Sequence, residues 1–263
     1  MTIAHISDLH FGRLADPGVV DALGREINGG AVDLVALSGD LTQRARPREF
    51  AAAQDFLSAL DPPLLVVPGN HDVYPWWRPV KRLLWPLQRY KHAVTDDLAP
   101  SFATDGVAVL GIATAHGATI KGGRITDADR AAIHEYFSEV SEAAFRVLVL
   151  HHHLTKIRSV GPHDVARYAR ETLEAAAAAG VHLILCGHLH VSHVETLRVD
   201  RHRIVVASAG TATSNRWRAP TGAVNFYNRI TIASDAFDVE ERRYVPRDHQ
   251  FVRDGVTRFD RAV

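Results

Sequence analysis

The apolar positions of this chain fall into two periods. Residues 2–7, 33–38, 64–67, 146–150 and 181–186 are short runs rich in Val, Ile and Leu, each stopped by Gly, Pro or a polar cluster. Runs of that length bounded by turn residues predict buried strands. Between them the spacing becomes helical. Val19, Val20, Leu23 and Ile27 predict a helix over 18–30, closed by Gly29 and Gly30. Phe50, Ala53, Phe56, Leu57 and Leu60 form one face of a helix over 47–60, with Pro47 suited to its first turn. The strand-helix order argues for parallel strands joined by right-handed crossovers. Residues 126–129 (Thr-Asp-Ala-Asp) resemble a capping box that opens a helix to about residue 140, and an Ala-rich helix is expected over 164–179, before Gly180. Two strands flank the turn Asp105-Gly106 within 102–114. Beyond Cys186 the pattern alternates over 193–199, 203–207, 223–232 and 237–244, and reads as mostly antiparallel strands forming a second sheet.

The pattern breaks at about 73–100. Pro75, Pro79 and Pro86 exclude a continuous helix there, and Trp76, Trp77 and Trp85 lie among Arg78, Lys81 and Arg82. The segment is expected to be an insertion of loops and short helices packed on its own domain, with a lid, a dimer surface or a lipid-contacting flap as the sharper readings. With no linker elsewhere, residues 1–263 read as a single α/β domain.

Each strand delivers polar residues at its carboxyl end, where open α/β sheets bind ligands. The first run leads to Asp8 and His10, the second to Gly39-Asp40, and the third to Gly69-Asn70-His71-Asp72. The fourth leads to His151-His152-His153 and the fifth to Gly187-His188-Leu189-His190. Alone, each of these motifs suits ordinary turn chemistry. Together, all at strand ends, they describe one site. Asp8, His10, Asp40, Asn70, His151, His188 and His190 mix oxygen and imidazole donors without a thiolate, which suits Mn, Fe, Zn, Co or Ni better than Mg or Ca. Seven ligands are too many for one catalytic ion with open positions and about right for two. Two ions about 3.5–4 Å apart form a clamp for in-line displacement at phosphorus, with a hydroxide between them as nucleophile.

Composition narrows the partners. Thirty basic and thirty acidic residues cancel, and no basic stripe favours tight binding to duplex nucleic acid. A single cysteine excludes an intramolecular disulfide and either fits a reducing compartment or is neutral on it, and a cytoplasmic location is the expectation. No apolar run is long enough to span a bilayer, and the first residues already form a strand, so no cleaved leader or transmembrane segment is expected.

The motifs D-x-H, G-D, G-N-H-D, H and G-H-x-H, found here at Asp8/His10, Gly39-Asp40, Gly69 to Asp72, His151 and Gly187 to His190, resemble those of the calcineurin-like metallophosphoesterases. The chain looks closest to the bacterial class III cyclic nucleotide phosphodiesterases. That resemblance implies a four-layer α/β/β/α sandwich of two mixed sheets with helices outside. It implies one metal held by Asp8, His10, Asp40 and His190, and a second held by the bridging Asp40 with Asn70, His151 and His188. Mn or Fe is the first expectation, with Zn, Co or Ni as alternatives. His71 is implied to contact the phosphate and assist the leaving oxygen, with Asp72 orienting it. The family's fourth motif usually carries a proline, absent from His151-His152-His153. The ligand is assigned to His151, first after the strand, with His152 as the alternative. The implied activity is hydrolysis of a small phosphodiester such as a cyclic nucleotide, with a lipid-linked diester or pyrophosphate, a phosphomonoester, or a non-catalytic scaffold as alternatives. Lower-ranked candidates for the pocket are His116, His193, Asn215, Arg216 and Trp217.

Overall fold

The computed structural model describes residues 1–119, 121–218 and 222–261. Strands β1 (Thr2–Ile6), β2 (Leu34–Ser38) and β3 (Leu64–Val67) pair in parallel, linked by helices α1 (Val19–Gly29) and α2 (Pro47–Ser58). The insertion holds two short helices, α3 (Pro79–Leu84) and α4 (Gln88–Ala93). Pro79 stands in the first turn of α3, where its missing N–H costs nothing. Then come β4 (Ser101–Ala103), β5 (Val107–Gly111), α5 (Asp127–Glu139), β6 (Phe145–Val149), α6 (Ala169–Ala178) and β7 (Leu183–Cys186). Thr126 caps α5 as its sequence suggests: its Oγ1 accepts from Asp129 N at 3.2 Å, and Asp129 Oδ2 accepts from Thr126 N at 2.7 Å.

The remaining strands are β8 (His193–Val199), β9 (His202–Ser208), β10 (Phe226–Ile232), β11 (Ala236–Val245) and β12 (Gln250–Asp260). They do not form a second sheet of their own. β8 and β9 extend the sheet ordered β4-β5-β6-β7-β9-β8, and β10 to β12 extend the other, ordered β12-β11-β10-β1-β2-β3. Alternation identifies a strand but carries no information about which sheet edge it joins. β12 escaped the sequence pattern because it is an edge strand, mostly exposed and interrupted by Gly255. The last crossover helix begins at Ala169 rather than near residue 164, after Tyr168 in a left-handed conformation.

Strand periodicity sorts the core. Leu34 and Ala36 on β2, Val147 and Val149 on β6, and Leu183 and Leu185 on β7 meet between the two sheets. Val35 and Leu37 turn outward to Leu23, Ile27, Phe50 and Phe56 of α1 and α2. Leu148 and Ile184 turn outward to Ile133 and Phe137 of α5 and Ala176 of α6. The result is four layers, α/β/β/α, with both faces of each central strand buried. The carboxyl ends of β1, β2, β3, β6 and β7 therefore converge where the two sheets meet.

Candidate metal centre

The turns that follow these strands are unusually tight. Among the described residues ten non-glycine positions have positive φ, and five of them are Asp8 (54°), His10 (48°), Asp40 (57°), His188 (71°) and His190 (58°). Asp and His tolerate this region better than most residues, at a cost of about 1–2 kcal/mol each. Two motif glycines are required by close approach. A Cβ on Gly187 would strike Ser7 Oγ and come within 2.7 Å of Asp8 Oδ2, and one on Gly69 would strike Asp40.

Two groups of ligating atoms result, each lying within 4.8 Å: Asp8, His10, Asp40 and His190, and His151, His152 and His188. The hydrogen bonds orient these donors. Nδ1 of His10 faces Thr42 O at 3.2 Å, Nδ1 of His151 faces Ser38 O at 2.7 Å, and Nδ1 of His190 faces Arg216 O. A carbonyl can only accept, so each Nδ1 carries a proton, and Nε2 offers its lone pair whenever the ring is neutral. Those lone pairs converge. His10 Nε2 is 3.1 Å from His190 Nε2, and Asp8 Oδ1 is 3.1 Å from His190 Nε2 and 3.5 Å from His10 Nε2. Asp8 Oδ2 is held by Ser7 Oγ at 2.7 Å and His188 N at 2.8 Å, while Oδ1 is buried without a hydrogen-bond partner. Convergent lone pairs and an orphaned carboxylate oxygen in a buried site fit a cation.

Asp40 lies between the groups. Its Oδ1 accepts from His71 N at 2.8 Å, and its Oδ2 is 3.6 Å from His10 Nε2 and 3.5 Å from His151 Nε2. Asn70 Oδ1 joins the second group at 3.3 Å from His151 Nε2. Burial opposes charge on both Asp8 and Asp40, yet the surrounding imidazoles hold both carboxyls well below the usual range. Burial also opposes charge on His151, but the Asp40 carboxylate and its hydrogen bond push the ring up to about 9. This carboxylate set demands positive charge, and a proton on His151 partly supplies it. His152 lies beside them: its Nδ1 is 2.7 Å from Thr114 Oγ1, its Nε2 is buried without a partner, and its ring lies 4.7 Å from that of His188. His151 faces Asp40 and Asn70, and His152 shares with His151 and His188 one group of ligating atoms.

The His71 ring is not oriented by Asp72. Its Nδ1 donates to Gln43 O at 2.7 Å, and Arg216 Nη1 donates to Nε2 at 2.8 Å. Burial, then Arg216, lower its pKa, against the opposing pull of Asp40. Asp72 is buried and ties the turns together. Its Oδ1 accepts from Thr42 N (2.9 Å) and Thr42 Oγ1 (3.0 Å), and its Oδ2 from Gly69 N (2.9 Å) and Leu41 N (3.2 Å). Burial and the charge of Asp40 nonetheless raise it to about 7.

Of the lower-ranked candidates, Arg216 reaches the site. Asn215 instead accepts from Arg13 at 2.8 Å, His193 faces Glu195 at 3.8 Å, and His116 meets Arg124 O at 3.0 Å. His5 was not singled out by sequence. It is buried between the sheets, its Nε2 lies 2.9 Å from Ser38 Oγ, and burial lowers its pKa to about 3. A cleft of about 300 Å³ opens beside Asn70 and His71, walled by Arg44, Trp76, Trp77, Lys121 and Arg216.

GpdQ of Enterobacter lignolyticus (strain SCF1), a glycerophosphodiester phosphodiesterase, is 39% identical over 83 residues, 27% of this chain and 30% of its own. The match therefore spans less than a third of that relative. A dimetal phosphatase from Danio rerio superposes with a TM-score of 0.71 at 13% identity, over 100% of this chain and 99% of its own. The purple acid phosphatase PPD1 from yellow lupin (Lupinus luteus) seeds gives 0.72 at 12% identity, over 99% of this chain and 53% of its own, so this chain spans about half of that structure. At these identities the two structures speak to the fold. The family profile of the calcineurin-like phosphoesterases matches residues 1–192, a span that contains every candidate ligand, and the chain belongs to that family.

Proposed function

We propose that the chain hydrolyses a small phosphodiester, a cyclic nucleotide being the first candidate, with two divalent first-row cations, Mn or Fe foremost. Asp8, His10, Asp40 and His190 would hold one cation, and Asp40, Asn70, His151 and His188 the other. The observation that carries this reading is Asp40 Oδ2, 3.6 Å from an imidazole nitrogen of one ligand group and 3.5 Å from one of the other. When bound, such a pair supplies a water of lowered pKa as nucleophile and neutralises charge on the phosphoryl group.

The chain's own residues would do the rest. In the free protein Arg216 caps Nε2 of His71 at 2.8 Å. An anionic phosphoryl oxygen competes for that guanidinium, which frees Nε2 and favours a proton there. Gln43 O holds Nδ1–H at 2.7 Å, so the second proton resides on Nε2, where it can pass to the leaving alkoxide. The cleft beside His71 gives room for the second ester group of a diester, and the likeness to a glycerophosphodiester phosphodiesterase favours the same choice. Cys186, buried and unpaired, suits a reducing cytoplasmic setting.

The test is turnover of an activated aryl phosphodiester beside its monoester, after chelation and reconstitution with Mn. Diester turnover that disappears with chelator is expected, and cyclic nucleotides are tried next. Turnover of the monoester alone would make the chain a phosphomonoesterase. Turnover of neither would overturn the proposal for soluble substrates.

A further inference from the structure

Single exposed apolar side chains need no explanation, whereas a contiguous patch does. Among the described residues nine large apolar side chains are exposed, and six of them lie within ten positions: Trp76, Trp77, Val80, Leu83, Leu84 and Trp85. Trp76 and Leu83 are each 68% exposed. The backbone beneath is anchored. Val73, Tyr74, Arg82, Leu87 and Tyr90 of the same insertion are buried. Arg82 Nε donates to Gly117 O at 3.0 Å, its other two nitrogens bind the carbonyls of Tyr74 and Thr119, and the Tyr90 hydroxyl donates to Val66 O at 2.9 Å. The apolar side chains thus stand outward on a braced ledge.

Charge identifies what such a ledge would meet. Residues 76–85 expose Arg78 and Lys81 and contain no Asp or Glu, in a chain whose formal net charge is zero. A two-fold contact with a second copy would set these cations against their own equivalents. An anionic lipid surface offers the complement: phosphates for Arg78 and Lys81, and a boundary between apolar and wet layers that suits indole rings. No helix among the described residues is long and apolar enough to cross a membrane, so the contact is with the surface. Trp76 and Trp77 also wall the cleft beside Asn70 and His71.

We infer that residues 76–85 dock the protein on anionic phospholipid membranes, with the mouth of the candidate site turned to the headgroup layer. If the chain is a phosphodiesterase as proposed, a diester carried by a membrane amphiphile takes the place of a cyclic nucleotide as its first candidate substrate. The docking itself does not depend on that reading.

The test is co-sedimentation of the whole chain with vesicles of phosphatidylcholine containing 30% phosphatidylglycerol, beside vesicles of phosphatidylcholine alone. Each basic residue near such a surface adds roughly five-fold to partitioning, so the pair Arg78 and Lys81 should give more than ten-fold preference for the anionic vesicles, weakened by salt. The double variant Leu83→Asp/Leu84→Asp should lose at least ten-fold in binding while keeping turnover of a soluble aryl diester. Equal binding by wild type and variant would overturn the inference, as would no binding to anionic vesicles. So would a dimer in sedimentation velocity that the same variant dissolves, because the ledge would then belong to a second copy. Vesicle binding without turnover of any phosphoester would leave the docking standing and remove the enzymatic reading.

Discussion

Asp40→Asn tests the arrangement at the point where the two groups of ligands meet. The substitution preserves shape. The amide oxygen can keep the Oδ1 position, which accepts from His71 N at 2.8 Å, so the turn that carries His71 survives. The other terminus becomes an NH₂ group facing His10 Nε2 at 3.6 Å and His151 Nε2 at 3.5 Å. Its hydrogens would occupy the lone pairs that a cation needs. One negative charge is also lost, leaving Asp8 as the sole carboxylate of the two ligand sets. At about 4 Å and an effective dielectric near 20, a pair of unit charges is worth about 4 kcal/mol, and a dication doubles the gross term before desolvation offsets much of it. Removing a partner outside the coordination shell already lowers metal affinity about 10–100-fold. Loss of a shared ligand should therefore cost at least about 100-fold at each position, or roughly 2.7 kcal/mol at 1.36 kcal/mol per decade. Elemental analysis after equilibration with limiting Mn, and competition against a chelator of known affinity, read the two stoichiometries directly. Both should fall, and diester turnover should fall with them. Two equivalents bound with wild-type affinity would refute the reasoning, because Asp40 Oδ2 would then not belong to either position.

The other substitutions separate roles that adjacency in sequence confuses. His71→Ala should retain both metals by elemental analysis and lose about 10²–10⁴-fold in turnover of unactivated esters, with a smaller loss on aryl esters whose leaving group needs no proton. Arg216→Ala removes the guanidinium at His71 Nε2 but leaves its carbonyl on His190, so the metals should stay while kcat/KM for an anionic diester falls about 10–100-fold, measured by initial rates. Asp72→Ala strands three buried backbone N–H groups, of Leu41, Thr42 and Gly69, at about 1–3 kcal/mol each. Taking about 3 kcal/mol as the lower end, the melting temperature should drop by roughly 6–12 °C, read by calorimetry on the chelated protein. An unchanged melting temperature together with a large loss of turnover would instead place Asp72 in service of the His71 ring.

The parts of this fold that were legible in sequence are those in which one local pattern has one tertiary answer. A strand such as Leu34–Ser38, apolar on both faces, must lie between two layers, and the residues that follow it must lie at the sheet's carboxyl edge. The hairpins after Cys186 were legible as strands but not as members of a sheet. Their alternation is satisfied equally at either edge, and the choice is made by pairings such as Thr2 with Thr231 and Leu183 with Val205, which no short window contains. Asp72 was misread for a related reason. Next to His71 in sequence, it invites a role on that ring, yet its side chain points back toward Leu41, Thr42 and Gly69 and leaves His71 to the carbonyl of Gln43. Arg216 arrives from 145 positions away, with only a loop of polar residues around it to mark its approach.

The same turns explain why each motif is weak alone and the set is not. A chain that must reverse immediately after a strand needs residues that accept positive φ, and Asp, Asn, His and Gly do so at least cost. These are also the residues that bind first-row cations or leave room for them. Asp8, Asp40, His188 and His190 therefore satisfy local turn geometry and the metal chemistry with one choice of side chain, so no single turn can reveal which demand selected it. What turn geometry does not ask for is that three such turns, after β1, β2 and β7 and so drawn from two sheets, bring their ligating atoms to one volume. Asp8 Oδ1 and the Nε2 atoms of His10 and His190 meet there, each ring fixed from behind by a backbone carbonyl. Left-handed backbone at five ligands costs several kcal/mol in sum, and lone pairs held this close repel one another. The surrounding core holds both in place, which is the form a site takes when its geometry is set before the cation arrives.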